Sequence, residues 1–239
     1  MSESNFSVSG KYNIEDSRRY LDKMVDRLMP QLLKSQKRIL LEDSQSQMTG
    51  AEVAQTLLKK CKLKNVLVCF NQNKQNSYLP GLNWINLSED IYYSRSVIAS
   101  AIAAHEVGHV YQPEPLKKLS YLLRQSPIIY YSPAREFPML IPLFLKGVSQ
   151  LFSIQIAVLV VPIIGALVAC LIMLLGVLIW MGRLWIFLDE IWTSLWALNL
   201  LEKHKILTRQ ERKLARKVLW NAALTYLPLL HPAYRHPFL

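Results

Sequence analysis

Twenty-eight Lys and Arg against seventeen Asp and Glu in 239 residues give a net charge of +11, with 51% hydrophobic residues and a mean hydropathy of +0.16. That balance excludes a disordered tail, and three cysteines without a C-x-x-C pair, one of them inside an apolar segment, exclude a disulfide scaffold and fit a reducing compartment. Lys and Arg cluster beside the apolar segment with no aromatic interleaving and no nucleic-acid module, so no nucleic acid is expected as a partner.

The opening stretch MSESNFSVSGKYNIEDSRRY has no apolar run behind its charges, so neither a cleavable signal peptide nor an N-terminal anchor is expected. From about Asp16 to Leu41, Tyr20, Leu21, Met24, Val25, Leu28, Met29, Leu32 and Leu33 recur at helical steps, and Pro30 should split that amphipathic helix. Thr49 with Glu52 three residues later reads as a capping box, opening a helix that buries Val53, Leu57 and Leu58. Asn65–Phe70 and Gly81–Leu87 read as two strands separated by the polar loop NQNKQNSYLP. After Ser88 the chain should be helical to Gln112, where Pro113 ends it. The Pro- and Tyr-rich connection 113–138 holds one short helix around Lys117 to Arg124.

Met139–Leu188 is almost uninterrupted apolar sequence. At about 20 residues per crossing it is too long for one span and sufficient for two, with Pro162 and Gly165 marking the turn of a transmembrane hairpin. Lys146 and Arg183 then lie near one interface, with Trp180 and Trp185 as belt residues. Glu202–Lys217 carries seven Lys and Arg against two acidic residues and should face the cytoplasm, and VLWNAALTYLPLL is too short to span.

His105-Glu106-Val107-Gly108-His109 is H-E-x-x-H. On a helix its two imidazoles lie one turn apart on one face and can reach a single zinc ion, with Glu106 beside the open coordination position. Zinc lowers the pKa of a bound water to about 7, and an adjacent carboxylate can take its proton and deliver it to a leaving amine. Gly108 inside the helix costs about 1 kcal/mol relative to alanine, so it requires either the close approach of another backbone or of the metal site, or plain helix–helix packing.

A peptidase site needs a third protein ligand. H-E-x-x-H-x-x-G-x-x-H is excluded by Gln112 and Pro115, which leaves a distant residue: Glu114, Glu136, His204, His231, His236 or Glu190. Glu190 follows the apolar region in a helical stretch with Ser194 one turn later, where a hydroxyl can support a ligand. The residues alone leave two readings for it, a metal ligand or an interfacial carboxylate paired with Arg183 or Lys203. Were Glu190 to share an ion with His105 and His109, the chain between them would have to cross the bilayer an even number of times, which two spans satisfy. Basic flanks on both sides place those ligands at the cytoplasmic face.

TGAEVAQTLL (from Thr49), INLSEDIYYSRSVIASAIAAHEVGHVYQ (Ile85 to Gln112) and ARKVLWNAALTY (Ala215 to Tyr226) resemble the YugP-like neutral zinc metallopeptidases of bacterial membranes, which look distantly related to membrane gluzincins. The family's L-P-V-E-F-D-A-S-x-x-A-L segment is similar to Phe187–Leu198 and puts its glutamate on Glu190, while Trp192 and Leu188 depart from the pattern and the family's N-terminal span is replaced by the helix from Asp16. The resemblance implies one Zn2+ held by His105, His109 and Glu190, with Glu106 as general base in peptide-bond hydrolysis. The expected fold is mainly α with a small β element, a zincin-like helical metallopeptidase domain interrupted by a two-span transmembrane hairpin. Its parts are a cytoplasmic region 1–138, the hairpin 139–188 and a helical region 189–239 carrying the third ligand. The expected partners are a peptide or protein substrate near the membrane and the lipid bilayer of a bacterial-type inner membrane. The other class of reading is a non-catalytic, zinc-stabilised membrane scaffold in which His204, His231 or His236 closes a four-ligand site.

Overall fold

A computed structural model describes residues 13–72, 75–130, 146 and 154–230. The chain is mainly helical with one small three-stranded sheet, and it forms two compact units. The first takes the residues up to Pro113 together with Thr193–Ala222, and the second takes Glu114–Trp192 and the residues from Ala223 onward.

In the first unit, Pro30 divides the expected helix into α1 (Ile14–Leu28) and α2 (Lys34–Leu41). Lys37 fastens the pair, its ammonium 2.8 Å from Asp22 and 2.7 Å from Asp26. The apolar stripe of α1 buries Leu21 and Val25. Next, α3 (Gly50–Lys60) starts from the expected capping box: the Glu52 amide donates to Thr49 Oγ1 at 3.2 Å, and the Thr49 amide donates to the Glu52 carboxylate at 2.8 Å.

The two expected strands form as β1 (Leu67–Asn71) and β3 (Trp84–Ser88), paired in parallel with Leu67 opposite Trp84 and Asn71 opposite Ser88. The polar loop between them contains a strand that the turn residues concealed. This β2 (Ser77–Leu79) pairs antiparallel with β3, giving the order β1-β3-β2. Side chains of that loop hold it there, since the Ser88 amide donates to Asn76 Oδ1 at 2.8 Å and the Tyr78 hydroxyl to Asn83 Oδ1 at 3.0 Å.

The single helix expected after Ser88 is two, α4 (Glu89–Tyr92) and α5 (Val97–Tyr111). Between them the Ser94 and Ser96 hydroxyls take over local hydrogen bonding. Ser94 Oγ accepts from the Ser96 amide, and Ser96 Oγ caps α5 by accepting from the Ala99 amide at 3.3 Å. Because α5 is alanine-rich, neighbours can close around it: Val97, Ile98, Ala99, Ala101, Ala103, Ala104 and Val107 are all fully buried. Helix α5 is thus the centre of the core, surrounded by side chains of α1–α4, the sheet, the last turns of α8 (Ile154–Lys203) and α9 (Arg209–Leu224).

In the second unit, α6 (Glu114–Gln125) contains the short helix expected at Lys117–Arg124, and α7 (Pro127–Tyr130) follows it. Both pack on α8. Gly182 permits this approach, since a β-carbon there would lie 2.6 Å from Ile129 Cδ1. Trp185 turns inward and donates to Ser120 Oγ at 2.9 Å. Arg183, expected at the membrane interface, is instead 2% exposed and donates from Nε to the Ile129 carbonyl at 2.7 Å. That carbonyl belongs to the last turn of α7, where an arginine satisfies an otherwise unpaired acceptor.

Helix α8 also corrects the expected turn, for it continues through Pro162 and Gly165. Proline forfeits one backbone hydrogen bond, a loss long apolar helices accommodate. Residues 139–145 and 147–153 of the expected hairpin lie outside the described residues. Among the described residues, the stretch Pro162–Lys203 is long and apolar enough to cross a membrane. Its most apolar 18-residue window has a mean hydropathy of 2.9, with 6% of it buried. Ile163, Leu167, Leu171, Leu174, Leu178 and Met181 all point outward. Oil-like side chains presented to the surroundings along such a length associate with a membrane.

Candidate metal centre

Helix α5 carries His105 and His109 one turn apart, with ring centroids 4.9 Å from each other and planes perpendicular. Both rings are half-buried, whereas Glu106, one residue on, is 6% exposed. The Gly108 question is answered by a backbone: a β-carbon at that position would lie 3.0 Å from the Thr193 carbonyl oxygen and 2.9 Å from Thr193 Cγ2. The glycine lets the last turns of α8 close directly onto the motif.

This closeness supplies each imidazole with a hydroxyl. Thr193 Oγ1 lies 3.2 Å from His109 Nδ1 and accepts from Gln112 Nε2 at 2.7 Å. Ser194 Oγ lies 3.3 Å from His105 Nδ1 and can donate to the Leu219 carbonyl at 3.5 Å. When the Ser194 proton goes to that carbonyl, its oxygen accepts from His105 Nδ1–H, which makes Nε2 the lone-pair nitrogen. An outer partner that fixes the tautomer and ring orientation is the usual companion of a metal-binding histidine.

Glu190 is on α8 in the second unit, 5% exposed, one helical turn before Ser194. The guanidinium of Arg124, from the end of α6, forks onto two neighbouring carboxylates, Nη1 to Glu190 and Nη2 to Asp189. The Tyr226 ring centroid lies 5.9 Å from the same guanidinium carbon. Burial works against the Arg124 charge, but the attraction of Glu190, Tyr226 and Asp189 outweighs it and raises the pKa of the arginine further.

The other candidates are placed elsewhere. Glu114 begins α6, is mostly exposed and pairs with Lys117 at 2.7 Å; that hydrogen bond, aided by the lysine charge, holds its carboxyl below the ordinary range. His204 follows the end of α8, ten residues past Ser194 and so about 15 Å farther along the axis. Burial first, then the charges of Lys60 and Lys203, push its imidazole pKa down. Glu136, His231 and His236 lie outside the described residues.

Sequence reasoning missed Thr193 and Arg124. The first had a trace in Gly108, whose cost implied a close backbone neighbour without naming it. The second had a trace in Asp189-Glu190: adjacent carboxylates that are both buried require a cation, and periodicity does not reveal which one.

The chain matches the family model described as "putative neutral zinc metallopeptidase" over residues 31–230. The protein named putative membrane protease YugP, from Bacillus subtilis (strain 168), is 38% identical over 71 residues, which cover 29% of this chain and 32% of that protein. The aligned segment thus spans about a third of the relative's length. No solved structure matches. With an H-E-x-x-H helix, hydroxyls at both imidazoles and a family match over most of its length, the chain belongs to the putative neutral zinc metallopeptidases.

Proposed function

We propose that the protein is a membrane-anchored zinc metallopeptidase, with one zinc ion held by His105, His109 and Glu190 and with Glu106 as general base. The observation that carries this reading is the engagement of α8 hydroxyls with both α5 imidazoles through Nδ1, on the helix that bears Glu190 one turn earlier. The donor set suits the ion: two neutral imidazoles and one carboxylate make a three-ligand site with a fourth position for water. When bound, zinc brings the pKa of that water down to about 7 and polarises a peptide carbonyl.

The chain's own residues do the remainder. Thr193 and Ser194 orient the two imidazoles through Nδ1, and Ser194, whose own proton can go to the Leu219 carbonyl, favours the His105 tautomer that presents Nε2. Glu106, enclosed on α5, takes the proton of the attacking water and returns it to the leaving amine. The substrate is a peptide or protein segment near the membrane, because α8 runs without interruption from the outward-facing apolar stretch to the helix turns that support the histidines.

Sharing an ion between α5 and Glu190 requires an even number of membrane crossings between them. The basic segment from Glu202 to Lys217 supports a site on the cytoplasmic side of a bacterial-type inner membrane. Replacing Glu106 by Gln in the full chain should lower peptide hydrolysis by about 10²–10⁴-fold while one zinc per chain is retained. Hydrolysis at the wild-type rate in that variant would contradict the reading and leave a zinc-stabilised scaffold in its place.

A further inference from the structure

We propose that Arg124 is a positioning residue for the metal centre, holding the Glu190 carboxylate in its ligating orientation through a fork shared with Asp189. The inference rests on the ligand set proposed above and goes beyond it, since neither the H-E-x-x-H motif nor the glutamate segment contains this arginine.

Three observations converge on it. First, the fork is divided between neighbouring carboxylates, with Nη1 on Glu190 Oε1 and Nη2 on Asp189 Oδ2. A planar guanidinium bound at two points fixes direction as well as distance, which a lysine ammonium cannot do. The contact on Glu190 is made at Oε1. Second, Asp189 balances the arginine charge. Without it, Arg124 would draw on Glu190 alone and weaken it as a ligand; with both carboxylates present, one negative charge beyond the neutral pair is left for the metal. Third, the pieces that aim the arginine are themselves fixed. Trp185 donates to Ser120 Oγ one turn before Arg124, the Tyr226 ring lies beside the guanidinium, and Asp189 and Glu190 are 7% and 5% exposed. Such outer partners of ligating carboxylates typically set metal affinity by about 10–100-fold.

A double-mutant cycle on zinc affinity tests this, using the full chain in detergent and competition against a chromogenic chelator. In the wild-type background Arg124→Ala should weaken zinc binding about 10–100-fold, and Arg124→Lys should fail to restore it. In the Glu190→Ala background the same replacement should change affinity little, because the group through which it acts is gone. Equal losses in both backgrounds would show a merely structural role, and tighter binding in Arg124→Ala would show that the arginine competes with the ion; either overturns the proposal. Should Arg124→Ala not fold, Asp189→Asn serves in the same cycle, with a smaller loss expected in the wild-type background and none on Glu190→Ala. Failure of the underlying reading looks different: wild-type protein that takes up no zinc, or Glu190→Ala that binds it unchanged.

Discussion

Gly108 shows how one missing methyl group assembles a site. An alanine there would gain about 1 kcal/mol in helix propensity, but its β-carbon would meet a carbonyl oxygen that no rotamer change can move, and overpacking of that kind costs about 1–3 kcal/mol. Gly108→Ala should therefore lower the melting temperature and weaken zinc binding together. Gly108→Ala combined with Thr193→Ser, which removes the crowded Cγ2, should recover only part of the loss, since the carbonyl contact persists. Melting curves of the two variants beside wild type decide it; a Gly108→Ala protein as stable as wild type would mean that α8 can draw back at no cost. The sequence told that this glycine needed a neighbour, and it told which hydroxyl stood one turn from Glu190. It did not tell that Thr193 and Arg124 were the partners, because contacts between residues 65 to 85 positions apart follow from packing and leave no local period.

Among the elements, those ended by local chemistry were legible and those shaped by distant partners were not. Pro30, the Thr49–Glu52 box and Pro113 terminate or start helices through the residues beside them, and each does so here. By contrast β2 is only Ser77-Tyr78-Leu79 set between turn-forming neighbours such as Asn76 and Pro80, and its pairing with β3 is what makes it a strand. Likewise Pro162 and Gly165 read as a turn in isolation, yet α8 passes through them. The capping box gives an element-scale prediction. Backbone and side-chain hydrogen bonds from Thr49 hold the Glu52 carboxyl below its usual pKa, opposed weakly by burial. A depressed folded-state pKa contributes stability above the unfolded value and loses it as pH falls through the folded one. The stability that Glu52 adds at pH 7 should thus fade on acidification below the ordinary carboxylate range, and Glu52→Gln should remove that part of the pH dependence. Thr49→Ala should cost about 1 kcal/mol at neutral pH. Denaturant titrations of wild type and both variants at pH 7 and at about pH 3, below the ordinary carboxylate range, test the pair; a Glu52→Gln protein with the wild-type pH dependence would exclude the box as its source.

At the scale of the molecule, a soluble-type core built around α5 and a long outward-facing apolar helix occur in one chain, joined by α8 itself. The outward apolar stretch of α8 from Pro162 to Met181 is 20 residues, about 30 Å at 1.5 Å per residue, which equals the hydrocarbon thickness of a bilayer. Leu171→Arg, near its middle, should cost about 2.5–3.5 kcal/mol of insertion and shift the protein from the detergent-requiring to the alkali-extractable membrane fraction. Unchanged fractionation would argue that the helix is covered by protein and not by lipid. The apolar composition announced a membrane segment but was read as two spans with a turn at Pro162 and Gly165, because composition gives length without saying where a helix axis begins or breaks. The claim on which the rest depends is that His105, His109 and Glu190 share one ion, and elemental analysis of detergent-purified wild type beside His105→Ala, His109→Ala and Glu190→Ala tests it most directly. The account predicts one zinc per wild-type chain and strong depletion in all three variants, whereas a wild type without zinc, or a Glu190→Ala protein that keeps its full complement, would contradict it.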